Sequence, residues 1–238
     1  NDLDNARAAF AKALELDYPD KGVVYYSLGQ IAEAKGDHEG ALVNFKAVSG
    51  QQQFDANLRV AIVLGKAGRL QEGLDWLKQL TPASEVQGVR IAQAEAELLR
   101  DAKRYADSFQ VFDKALAQYP DNLELLYDRA MAAERLNRLD VLEADLRRVI
   151  QLKPDYAHAY NALGYTLADR TDRLDEAVGL LEKALNLAPD DPFILDSMGW
   201  ALFKLQRYAD AADYLRRAYA GRNDPEIAAH LGEVLWMK

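Results

Sequence analysis

Apolar residues recur along the chain at helical spacing, broken by short polar stretches. The clearest instance is 157–189. Tyr160, Leu163, Gly164 and Leu167 form one apolar stripe, and a polar break follows from Asp169 to Arg173. Leu174, Ala177, Leu181 and Ala184 then form a second stripe that stops at Pro189. Apolar positions three or four residues apart share one face of a helix, so the stretch predicts two amphipathic helices joined by a turn. Proline has no backbone N–H and disfavours helix in the residue before it, so Pro189 ends the second. Gly164, Ala177 and Ala184 are the small positions where the two helices can approach closely.

The same pattern runs in both directions. It predicts six hairpins starting near 22, 54, 89, 123, 157 and 192, with half repeats at 1–19 and 225–238. The first carries Tyr25, Leu28, Gly29, a turn at Gly36-Asp37, then Ala41 and Phe45. The second is degenerate, with Gly73 at a position usually filled by Ala and Pro82 ending it early. Gly164, Gly199 and Gly232 are equivalent, spaced by roughly the 34 residues of a helix-pair repeat. Pro120-Asp121-Asn122, Pro154-Asp155 and Pro189-Asp190-Asp191-Pro192 each join a helix stop to an N-cap candidate. Asp191 is the strongest of these, since proline is tolerated at the first helical position. No Gly/Ser-rich or charged linker interrupts the series, so residues 1–238 read as one array.

Period and pattern together resemble the tetratricopeptide-repeat family. The resemblance implies an all-α, right-handed superhelical solenoid of helix hairpins, with six full repeats and a half repeat at each end. Both ends expose apolar faces, where terminal repeats normally carry a polar one. The expectation is therefore a fragment of a longer array, which leaves any leader or lipid anchor upstream of it.

Composition narrows the function classes. Of 238 residues, 29 are Lys or Arg and 38 are Asp or Glu, for a net charge of −9. That balance argues against a nucleic-acid surface, which needs a basic stripe. No apolar run approaches the roughly 18 residues of a membrane span. The chain has no cysteine, so neither disulfides nor thiolate chemistry is available, which is neutral as to compartment.

Chemistry for catalysis is also missing from the pattern. His38, His158 and His230 are far apart, and no zinc-protease pair, phosphate loop or nucleophile elbow occurs. Gly65-Lys66-Ala67-Gly68 lacks the following Ser or Thr of a phosphate loop and reads as a turn inside a repeat. The expectation is a protein with no enzymatic activity, no cofactor and no metal.

In the resembled family the inner face of the superhelix is lined by the first helix of each hairpin. Carried onto this chain, the lining positions include Tyr26, Gln30, Glu33, Leu58, Arg59, Ile62, Arg90, Gln93, Glu97 and Arg100. Mixed charges such as these usually pair along a solvated face, Arg100 with Glu97 for example. The candidate partner-binding set is C-terminal: Tyr127, Met131, His158, Asn161, Tyr165, Phe193, Asp196, Trp200, Phe203 and Trp236. Exposed aromatics there would give a peptide or helix much contact area at little rotamer cost. The other reading of Trp200, Phe203 and Trp236 is ordinary core, or cover for a neighbouring helix. The family's chaperone-tail clamp uses Lys and Asn together, and only Asn161 fits, so that guest is not expected.

The tail adds a finer resemblance. Ile194-Leu195-Asp196-Ser197-Met198-Gly199-Trp200-Ala201, Tyr214-Leu215 and Ala229-His230-Leu231-Gly232-Glu233-Val234-Leu235-Trp236 look like the C-terminal block of proteobacterial tetratricopeptide outer-membrane lipoproteins. Those proteins include adaptors for a periplasmic carboxyl-terminal processing protease. The resemblance implies a scaffold on the periplasmic side of the outer membrane that joins a protease to its substrates; a cytoplasmic location is the alternative. The competing functional expectation is a self-association module of a larger envelope assembly, with the degenerate second repeat bending the array.

Overall fold

The computed structural model describes residues 2–237; Asn1 and Lys238, the outermost positions of the expected half repeats, lie outside the described residues. The described residues form fourteen α-helices and one 3-10 turn, without a strand. None of these helices is long and apolar enough to cross a membrane. The chain divides into two compact units, one ending at Pro120 and the other beginning at Asp121.

The N-terminal unit contains α1 (Asp2–Glu15), then the hairpins α2 (Lys21–Ala34) with α3 (His38–Lys46), α4 (Gln53–Lys66) with α5 (Leu70–Lys78), and α6 (Glu85–Asp101) with α7 (Tyr105–Gln118). A 3-10 turn at Gly50–Gln52 precedes α4. The C-terminal unit contains α8 (Leu123–Arg135) with α9 (Leu139–Leu152), α10 (Ala157–Arg170) with α11 (Leu174–Leu187), α12 (Pro192–Lys204) with α13 (Tyr208–Gly221), and α14 (Pro225–Met237). Helix α6 opens four residues before the expected Val89, because Ser84 caps it: the Gln87 N–H donates to Ser84 Oγ at 3.3 Å.

Caps and turns explain why the helices start and stop where they do. Asp20, Asp37 and Asn122 each accept the backbone N–H three residues on, at 3.1, 2.9 and 3.1 Å. Asp191 accepts from both Phe193 and Ile194, with Pro192 at the first helical position. Asp155 does not act as the cap its sequence context suggests; Tyr156 holds that position, without a side-chain cap bond. First helices end in a left-handed residue: Gly36, Gly68, Lys103, Asn137 and Gln206 have φ of 74, 77, 60, 56 and 61°. The next N–H then reaches back to close the helix end, as Arg69 does to the Leu64 carbonyl at 2.9 Å and Arg138 to that of Ala133 at 2.9 Å. Helix α10 ends differently: Thr171 is extended, and its hydroxyl donates to the Leu167 carbonyl at 2.6 Å.

Packing follows the expected register. Leu146, Leu181 and Leu215, one per hairpin of the C-terminal unit, are 0% exposed, and each fully buried leucine contributes about 1.5–3 kcal/mol. Phe45 and Leu77 fill the matching position in the N-terminal unit. The glycines mark close helix contacts: a Cβ at Gly164 would lie 2.8 Å from Leu181 Cγ, and one at Gly199 would lie 2.5 Å from Leu215 Cγ. On the second helices of the C-terminal unit, Glu143 and Glu176 interleave with Arg147 and Arg173 and tie α9 to α11.

Candidate functional site

The first helices of the C-terminal unit enclose a groove of about 440 Å³. Helix α8 contributes Tyr127, Met131 and Glu134, and α10 contributes His158, Asn161, Ala162, Tyr165 and Thr166. Helix α12 contributes Phe193, Asp196 and Ser197, and α14 contributes Glu226. Side chains a turn apart on one helix, repeated on the next, converge because successive first helices lie side by side. Of the sequence-derived set, Tyr127, Met131, His158, Asn161, Tyr165, Phe193 and Asp196 come together here.

Trp200 and Phe203 do not line this groove, and Trp200 lacks the exposure expected of it. Trp200 is 9% exposed. Its ring stacks on His230 of α14 at 4.3 Å and on Phe203 at 5.1 Å, and its indole N–H donates to Asp169 Oδ1 at 3.2 Å. Neighbours on both sides therefore enclose it, and Phe203 leans on Tyr208 at 5.8 Å. Trp236 is 88% exposed on α14 and also lies outside the groove lining. Helical spacing placed these residues on a face but could not show that His230 covers Trp200.

Aromatic and carboxylate groups dominate the groove. The Tyr127 ring lies 5.7 Å from Tyr156, which meets His158 edge-on at 6.1 Å. Phe193 is 44% exposed, with the Arg222 guanidinium over its ring at 4.8 Å. Burial pushes the Tyr165 phenol up to about 12, reinforced by the carboxylates of Asp169, Glu226, Asp196 and Glu134. It stays a neutral donor at physiological pH. Burial, with Tyr156, Asp128 and Glu134, raises Tyr127 as well.

Asp196 is committed within the protein. His230 Nδ1 lies 3.0 Å from both of its carboxylate oxygens. Burial works against a charged imidazole, but the hydrogen bond and charge of Asp196, with Glu226 and Glu233, raise the His230 pKa overall. Asn161 presents the opposite situation: its Oδ1 is buried and has no hydrogen-bond partner. No group of three or more His, Cys, Asp or Glu side chains among the described residues could hold a metal ion.

Ala162, Thr166, Ser197 and Glu226 are groove residues missing from the sequence-derived set, and the charged one is Glu226. It follows Pro225 as Phe193 follows Pro192, so carrying the repeat offset from Phe193 into α14 would have found it. In the N-terminal unit, the positions expected on the inner face behave differently. The Glu33 side chain is 7% exposed and binds both Arg59 and Lys66, the latter at 2.8 Å. Arg90 pairs with Asp55 at 2.5 Å and lies over the Phe54 ring. Arg100 pairs with Asp101 at 3.7 Å instead of the expected Glu97.

Comparison with known proteins places this architecture. The sequence profile of the tetratricopeptide repeat matches residues 1–48, 94–141, 127–192 and 197–238. The chain belongs to the tetratricopeptide-repeat family. Its fold is the family's all-α solenoid of helix hairpins, a fold that generally serves protein–protein interaction. The chain is 43% identical over 210 residues to the TPR repeat-containing protein PA4667 of Pseudomonas aeruginosa, covering 88% of this chain and 36% of that protein. It thus spans about a third of that relative's length. A tetratricopeptide repeat protein from Parabacteroides merdae superposes with a TM-score of 0.67 at 15% identity, over 91% of this chain and 86% of that one. YrrB, described as a TPR protein with an unusual peptide-binding site, superposes with a TM-score of 0.52 at 17% identity, over 94% and 98%.

Proposed function

We propose that this tetratricopeptide-repeat protein is a non-enzymatic scaffold that holds a peptide or helix of a protein partner in the groove formed by α8, α10, α12 and α14. One observation carries the reading: Tyr127, Tyr165 and Phe193 from three successive first helices border the same groove. Partly exposed aromatics on a rigid wall bind extended or helical segments at small entropic cost. That YrrB is named for a peptide-binding site supports a guest of this class.

The finer form of the proposal rests on the tail. The resemblance of 194–236 to adaptor lipoproteins supports a guest from a periplasmic carboxyl-terminal processing protease or its substrates. It equally supports work on the periplasmic side of the outer membrane, through an anchor outside this sequence.

A peptide array probed with the protein and with a Tyr165→Ser/Phe193→Ser variant tests the groove. The expected result is a set of peptides that the variant no longer binds. Identical binding by both proteins would remove this groove as the site.

A further inference from the structure

We infer that the groove selects a cationic peptide segment, one whose lysine or arginine side chain enters among Tyr127, Tyr165 and Phe193 and is received by Glu134, Glu226 and the Asn161 amide oxygen. The inference rests on the proposed peptide-binding role and adds the chemistry of the guest.

Charge is the first argument. The groove lining includes the carboxylates of Glu134, Asp196 and Glu226 and no Lys or Arg. Asp196 is engaged by His230, whereas neither Glu134 nor Glu226 takes part in a side-chain hydrogen bond or ion pair among the described residues. Elsewhere in the chain, acids on facing helices are answered by an arginine, as Glu143 is by Arg173 and Asp55 by Arg90. The groove is a place where the answering cation is left to come from outside.

The buried Asn161 Oδ1 lacks a donor, and buried acceptors are ordinarily satisfied. Turning the Asn161 amide toward the groove would bring this acceptor to an ammonium or guanidinium group, which carries only donors, three or five of them, while the cation faces the two glutamates. A carboxylate guest would bring only acceptors and meet like charge.

The walls supply a further argument. Cations are attracted to the faces of tyrosine and phenylalanine rings, and Arg222 already lies over Phe193 at 4.8 Å. The Tyr165 phenol, held protonated first by burial and then by the surrounding carboxylates, sits in the same negative field that a cation would relieve.

Fluorescence anisotropy with three labelled twelve-residue peptides tests this: Gly/Ser/Leu sequences of equal length carrying arginine, no charge or glutamate at the central positions. The arginine peptide is expected to bind tightest, with affinity falling as salt rises. The Glu134→Gln/Glu226→Gln variant should weaken it by about tenfold. An Asp190→Asn/Asp213→Asn variant, which removes the same charge from exposed sites, should leave it unchanged. Equal losses in both variants would mean attraction to net charge alone and would overturn the inference. If the uncharged peptide binds as well as the arginine peptide, and Phe193→Ser abolishes both while the Glu variant does not, the groove stands and its cation preference falls. If no peptide of any charge responds to Phe193→Ser, the peptide-binding reading fails and the inference falls with it.

Discussion

The two units carry the same hairpins and treat their first-helix faces in opposite ways. In the N-terminal unit, charges on successive first helices answer each other: Glu33 on α2 holds Arg59 and Lys66 of α4, and Asp55 of α4 holds Arg90 of α6. In the C-terminal unit, the corresponding face carries Tyr127, Tyr165, Phe193, Glu134 and Glu226 around open space. Backbone geometry is shared, so the difference is one of side-chain complementarity. A face that satisfies itself contributes to stability and has little left for a guest; a face with unanswered acceptors and half-covered rings gives up some stability to remain able to bind. This is the general tension between a well-packed fold and a working site.

The comparison requires the scaffold beneath both faces to be the same, and this predicts the largest effects. A Cβ at Gly29 would lie 2.6 Å from the Phe45 ring, and one at Gly199 would lie 2.5 Å from Leu215 Cγ. Gly29→Leu and Gly199→Leu should each destabilise by about 3 kcal/mol through overpacking. At Gly232 an added Cβ meets nothing within 4 Å, so Gly232→Ala should be neutral or gain up to about 1 kcal/mol from helix propensity. Urea unfolding midpoints measure all three, and a harmless Gly199→Leu would show that the hairpins pack in another register.

The faces themselves come next. Glu33→Gln strands Arg59 and Lys66 beside a side chain that is 7% exposed, and should cost about 1–3 kcal/mol. Glu134→Gln and Glu226→Gln remove acids that have no partner to lose, and should shift stability by no more than about 0.5 kcal/mol. The contrast is read from the same unfolding curves. Similar losses at Glu33 and Glu134 would erase the distinction between a self-satisfied and an open face.

Much of this was legible in the sequence. Period-3.6 apolar spacing identified the hairpins, because each helix buries one stripe against its partner, and Gly36 and Gly68 marked left-handed turns directly. Lys103, Asn137 and Gln206 adopt the same backbone conformation without announcing it, since the helix-end hydrogen bonds override their local preference. The start of α6 was misplaced because its first turn is exposed and Val86 points outward, so no apolar pattern begins until Val89. The groove was partly legible: Tyr127, Asn161, Tyr165 and Phe193 follow from position within the repeat. Trp200 was not, since its burial depends on His230, thirty residues on in another helix. Spacing within a helix says which face a residue occupies, and only the fold says what covers it.

Acid pH should separate the ion ladder of α9 and α11 from the groove. Hydrogen bonding from Arg173, partly opposed by burial and aided by Arg147, lowers the Glu143 pKa from 4.5 to about 2. A carboxylate with a depressed native value stabilises the fold above its unfolded value and loses that contribution as pH falls through the native one. Stability of the C-terminal unit should therefore decline between 4.5 and about 2, and Glu143→Gln should flatten that decline. A variant with an unchanged profile would mean that other carboxylates carry the acid dependence.

The smallest expected effect has the opposite sign and lies at the groove's edge. His230 gains the Asp196 carboxylate, and its native pKa is raised above the ordinary 6.5 despite burial. Its contribution is complete below 6.5 and is lost as pH rises through the raised native value. NMR titration of the His230 ring should give a midpoint above that of a free histidine, and Asp196→Asn should bring it down. If wild type and variant titrate alike, the clasp between α12 and α14 is geometric packing around Trp200 with no ionic component. The groove wall at Glu226 would then owe its position to stacking alone, and the open face of the C-terminal unit would keep its shape across the whole neutral range.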